Sequence, residues 1–68
     1  MKLSARNQIK GIIKSVIKGQ TTSHVQLEIN GAIITASITN EAVDDLKLKV
    51  GQSAYAVIKA SDVMVAID

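Results

Sequence analysis

The strongest local constraint in this chain is the run Ser23 to Ile29, which leads directly into Asn30-Gly31. Val25, Leu27 and Ile29 alternate with His24, Gln26 and Glu28, the period-two pattern of a strand with one buried face. Asn and Gly both tolerate positive φ, and as a pair they close the two-residue turn whose twist matches that of the strands it joins. The segment Ala32 to Ile38 must then return antiparallel to Ser23–Ile29. The centre of the chain is committed to a β-hairpin.

Upstream, Ile9 to Lys18 places β-branched Ile12, Ile13, Val16 and Ile17 between Lys10, Lys14 and Lys18 and stops at Lys18-Gly19-Gln20, which reads as a strand entering a turn. Downstream the pattern changes. Thr39 or Asn40 can cap a helix, Glu41 and the Asp44-Asp45 pair are acidic, and Val43 and Leu46 are spaced i, i+3. A helix of about two turns is expected from Asn40 to Leu46. After Val50-Gly51-Gln52, the segment Ser53 to Lys59 is expected as a fourth strand and Val63 to Ile67 as a fifth, linked tightly by Ala60-Ser61-Asp62. Three strands, one short helix and two strands is the order of a five-stranded, OB-like Greek-key barrel. The expected fold class is therefore all-β, as a single domain over residues 1–68, without repeats or linkers.

Composition bears on how such a barrel is stabilised and on what it can bind. A domain of 68 residues buries only about 60% of the surface its unfolded chain exposes. Disulfides and metal sites are the usual remedies, and a chain with no Cys and one His has neither, which leaves self-association. The apolar 47% is almost entirely Ile, Val, Leu and Ala, with Tyr55 the sole aromatic residue. One ring cannot form the stacking platform on which OB barrels bind single-stranded nucleic acid. The net charge of +2 is also too slight for the usual basic stripe of nucleic-acid binders. No run approaches the roughly 20 apolar residues of a membrane helix, and no leader precedes the first strand, so a cytoplasmic protein without membrane contact is expected.

Catalytic groupings are scarce, and an enzyme is not expected. His24 lies on the polar side of its strand with no Ser or Cys at a spacing that would activate a nucleophile. Glu41, Asp44 and Asp45 answer the helix dipole, and Gly11, Gly19, Gly31 and Gly51 are scattered singly rather than gathered in a phosphate loop. No cation site is expected either. The chain's two ends are richer. Ser4-Ala5-Arg6-Asn7 combines a hydroxyl, a permanent cation and an amide, and Lys59-Ala60-Ser61 joins a strand-end cation to a turn with free N–H groups. If these converge they form a donor-only pocket suited to an oxyanion. On spacing alone, Arg6 and Lys59 fit a pair of solvated charges equally well.

Ser4-Ala5-Arg6-Asn7-Gln8, Lys59-Ala60-Ser61-Asp62-Val63 and the Asn30-Gly31 hairpin between them together resemble a molbindin. Molbindins, or Mop proteins, are small molybdate-binding proteins first described as molybdenum-pterin-binding proteins. Similar domains recur in molybdate-transporter ATPase subunits and in a molybdate-responsive regulator. The resemblance covers essentially the whole chain. It implies an OB-like barrel, a homohexamer built as a trimer of dimers, and molybdate or tungstate stored at subunit interfaces. Carried over by position, the binding site falls on Ser4, Arg6, Lys59 and Ala60 of one chain, with Ala60 offering its N–H, and on Thr39 and the backbone at Ala42 of a neighbour. Ala42 stands where many relatives have a Ser, so one hydroxyl donor is missing. A second class of anion site near a threefold axis is assigned to the turn Gly19, Gln20, Thr21, Thr22 and Ser23. The rival readings are a nucleic-acid-binding OB module, a sulfate or phosphate binder, and a carrier of the intact molybdenum pterin cofactor.

Overall fold

A computed structural model describes residues 1–68. The chain forms strands β1 (Asn7–Lys18), β2 (Thr22–Ile29) and β3 (Ala32–Thr39), helix α1 (Asn40–Leu46), strand β4 (Ser53–Ile58) and a 3₁₀ turn at Ala60–Asp62. The four strands make one antiparallel sheet in the order β3-β2-β1-β4. Asn30 (φ 50) and Gly31 (φ 84) close the β2–β3 hairpin with the positive φ pair expected of them.

The expected five-stranded barrel needs correction. Val63 to Ile67 is not a strand, and the sheet has four strands. Val63 bonds back to Ala60 through its N–H, and beyond it Met64, Val65 and Ile67 are 93%, 90% and 94% exposed. The alternating apolar pattern is genuine, but no free sheet edge of the same chain receives it. Pattern alone does not distinguish a strand that pairs at home from one that lacks a partner.

β1 is the spine. Its first half pairs with β4, from Asn7↔Ile58 to Ile12↔Ser53, and its second half with β2, from Ile12↔Glu28 to Lys18↔Ser23. Two features let a single strand serve both neighbours. The register slips between Ile13 and Ser15, so Lys14 is the extra residue of a β-bulge. A bulge bends the strand and resets which side chains point inward, and it accounts for core residues Ile13 and Val16 lying three apart while Ile12 and Ile17 stay exposed. The second feature is Gly11, which is buried within the strand rather than at a bend. A Cβ there would lie 2.6 Å from the Glu28 carbonyl oxygen and 2.6 Å from Ile29 Cγ1, so only glycine allows β2 to pass this close.

The core is small and aliphatic: Ile13, Val25, Leu27, Val43 and Ala56, with Val16, Ile34, Ile38 and Leu48 packed around it. Thr39 caps α1 by accepting the Ala42 N–H at 3.1 Å, and Val43 is the helix's buried anchor. Lys47 ends the helix at φ 52, ψ 47, where the N–H groups of Lys47 and Leu48 return to the carbonyls of Asp44 and Val43. The curled sheet does not close. Between the unpaired edges of β3 and β4 it leaves an apolar trough of about 790 Å³ lined by Leu27, Ile34, Ile38, Leu48, Ala54 and Ile58 among others.

Candidate functional site

The β1–β4 pairing brings the two ends of the chain together. Asn7 faces Ile58 in register, and the Asn7 side-chain amide donates to the Ile58 carbonyl at 3.2 Å. Arg6 precedes Asn7 and Lys59 follows Ile58, so the antiparallel ladder sets both cations at one end of the sheet. The ion pairs of the chain are Lys14–Glu28 at 3.5 Å and Lys18–Asp44, and neither includes Arg6 or Lys59. Both are exposed, and the acidic residue nearest to Lys59 in sequence is Asp62 of the 3₁₀ turn that Lys59 precedes. Ser4 lies exposed at a bend two residues before Arg6. Ala60 opens the 3₁₀ turn, in which Asp62 and Val63 donate to the Lys59 and Ala60 carbonyls, while the Ala60 N–H has no acceptor in the chain. Arg6, Lys59 and Ala60 thus flank the Asn7↔Ile58 pair, all exposed, with Ser4 exposed two residues further along the chain.

Thr39 and Ala42 are elsewhere. Thr39 pairs with Thr22, beside the Lys18↔Ser23 pair at the far end of β1. The 12 residues of β1 have a contour of roughly 36 Å at about 3.3 Å per residue. One chain therefore does not gather all six expected residues around one anion. The Ala42 N–H is already given to Thr39 Oγ1, which leaves the Thr39 hydroxyl hydrogen free to donate outward. Glu41, exposed in the first turn, is a negative neighbour there.

The β1–β2 turn is exposed from Gly19 to Thr22, whereas Ser23 belongs to β2 and is fully buried. The Ser23 hydroxyl donates to Asn40 Oδ1, and Asn40 in turn holds the turn through its own donors. This role of Asn40 was not legible in the sequence, where Thr39 and Asn40 were interchangeable as caps. His24 is exposed between Ile17 and Ser37 on the outer face, and no group of three His, Cys, Asp or Glu residues is arranged to hold a metal ion.

Residues 3–65 match the TOBE domain model, and the chain belongs to that family. Within it, the chain is of the molbindin type. It is 42% identical to a probable molybdenum-pterin-binding protein of Haemophilus influenzae, with the alignment covering all of both chains. It is 53% identical over 66 residues to the molybdenum transport protein ModE of Herbaspirillum seropedicae, covering 96% of this chain but only 24% of that longer protein. Among solved structures, the cytoplasmic molybdate-binding protein ModG with molybdate bound superposes with a TM-score of 0.88 at 46% identity, over 94% of this chain and 46% of that one.

Proposed function

We propose that this protein binds and stores molybdate or tungstate, without chemistry, at the interfaces of a homo-oligomer in the cytoplasm. The observation that carries the reading is the placement of Arg6 and Lys59, neither in an ion pair, at one end of the β1–β4 ladder beside the free Ala60 N–H. The four oxygens of a tetrahedral dianion can accept from donors of several kinds, and guanidinium and backbone N–H are apt partners for them. Relatives that share this fold are named for binding molybdate or molybdenum pterin, and ModG is named as cytoplasmic.

The opposite placement of Thr39 and Ala42 supports binding between chains: Ser4, Arg6, Lys59 and Ala60 of one copy face Thr39 and Ala42 of another. The open trough and the exposed Val63–Ile67 segment support self-association. Unpaired sheet edges and a run of bare apolar residues are surfaces that a small domain covers with copies of itself. We assign a hexamer arranged as a trimer of dimers, with the exposed Gly19–Thr22 segment as a second class of anion site and buried Ser23 outside it.

A carrier of the intact molybdenum pterin is the second reading, favoured by the name of the Haemophilus relative. Elemental analysis of protein purified from molybdate-supplemented cells tests both. Stoichiometric molybdenum without pterin fluorescence is the expected result, equimolar pterin would establish the carrier, and absence of molybdenum together with bound sulfate or phosphate would refute both.

A further inference from the structure

The β1–β2 turn is held from the inside by one residue. Asn40 Nδ2 donates to the Gly19 carbonyl at 3.1 Å and to the Gln20 carbonyl at 3.2 Å, and the Asn40 backbone N–H donates to the Thr21 carbonyl at 2.9 Å. The orientation of its carboxamide is set by Ser23, the chain's fully buried hydroxyl, which donates to Asn40 Oδ1. Three consecutive carbonyl oxygens are thereby drawn toward Asn40.

The consequence follows from peptide geometry. In a planar trans peptide the N–H of the next residue points opposite to the carbonyl. With the carbonyls of Gly19 and Gln20 turned inward, the N–H groups of Gln20 and Thr21 point away from Asn40, and neither finds an acceptor in the chain. The exposed turn therefore presents two successive backbone N–H groups, together with the exposed side chains of Thr21 and Thr22, while its carbonyl acceptors are occupied. Successive outward N–H groups form an anion-binding concavity, and exposed carbonyls in the same turn would repel what the N–H groups attract. Of the charged groups near the turn, Lys18 is paired with Asp44 of α1, and Glu41 beside Asn40 is exposed and negative.

We propose that Asn40, oriented by Ser23, is the positioning residue that makes the Gly19–Thr22 turn an oxyanion acceptor, by sequestering its three carbonyl oxygens. This rests on the oxyanion reading above and deepens it. Asn40 itself touches no ligand.

The test follows amide NMR signals while sodium molybdate is added to the parent, Asn40→Asp and Ser23→Ala proteins. Asn40→Asp keeps an acceptor for Ser23 but removes both amide donors and turns a carboxylate toward the Gly19 and Gln20 carbonyls. In the parent, the Gln20 and Thr21 signals should move saturably. In Asn40→Asp their half-saturation concentration should rise about tenfold, equivalent to about 1.4 kcal/mol, because the freed carbonyls can turn toward the anion, while the Ala60 signal titrates as in the parent. A merely structural role would leave the two half-saturation points in their parental ratio. Should Asn40→Asp fail to keep the dispersed Val25 and Leu27 signals of the folded core, Ser23→Ala decides: weaker titration of Gln20 and Thr21 with unchanged Ala60 supports the assignment. Parental titration of Gln20 and Thr21 in a folded variant overturns it, as does a parent in which Ala60 moves and they do not. A parent in which none of the three signals moves overturns the oxyanion reading, and this inference with it.

Discussion

Replacing Gly11 with Ala tests how β1 serves two neighbours. The added Cβ would stand 2.6 Å from the Glu28 carbonyl oxygen and 2.6 Å from Ile29 Cγ1, against ordinary carbon contacts of about 3.5–4.0 Å. The isoleucine can rotate, but the carbonyl is backbone in the β1–β2 ladder, so the two strands must part by several tenths of an ångström. Overpacking of this kind costs about 1–3 kcal/mol. Ala also restricts the unfolded chain, which returns about 0.4–1 kcal/mol. The net loss is about 1–2 kcal/mol, equivalent to a fall in melting temperature of roughly 5–15 °C for a domain this small. Gly31 is the control: its surroundings are open but φ is +84, so its requirement is for backbone conformation alone. Gly31→Asn should keep most of the stability, since Asn tolerates the left-handed region, whereas Gly11→Asn should be worse than Gly11→Ala. Thermal denaturation followed by circular dichroism separates the two positions. A Gly11→Ala protein that melts within about 2 °C of the parent would refute the close-approach account.

Three further outcomes are expected. Lys47 holds a left-handed conformation at the end of α1, so Lys47→Gly should stabilise the protein by about 1 kcal/mol in chemical denaturation. Thr39→Asp keeps an acceptor for the Ala42 N–H but places a negative charge where the neighbour's anion would sit; its melting temperature without ligand should barely change while molybdate binding is lost, and parental affinity would remove Thr39 and Ala42 from the site. Val65→Asp, at a position 90% exposed in the single chain, should shift the sedimentation profile from the proposed hexamer toward smaller species, and an unchanged profile would mean that this segment is not part of an interface.

Much of the fold was legible because the signals were local. The Asn30-Gly31 turn and the β2 alternation define the hairpin, and the helix from Asn40 to Leu46 follows from its cap and apolar spacing. What was not legible depended on contacts between distant segments. Lys14 is a bulge only because β2 slips past it, Gly11 matters only because Glu28 lies over it, and Val63–Ile67 is apolar and alternating without a partner in its own chain. The candidate site divides in the same way. Arg6 and Lys59 stood out as cations at the ends of apolar segments, and the β1–β4 register brings those ends together. Asn40 did not stand out, because its function lies in reaching back some 20 residues to the Gly19 and Gln20 carbonyls, a relation that no spacing rule encodes.

Calorimetric titration with molybdate measures whether Arg6 and Lys59 together hold an oxyanion. The parent should bind saturably. Arg6→Ala and Lys59→Ala should each lose about 2–5 kcal/mol of binding free energy, the cost of removing one partner of a charge pair if the proposed interface buries it, with circular dichroism spectra unchanged. Parental affinity in both variants would contradict the account and place the anion elsewhere.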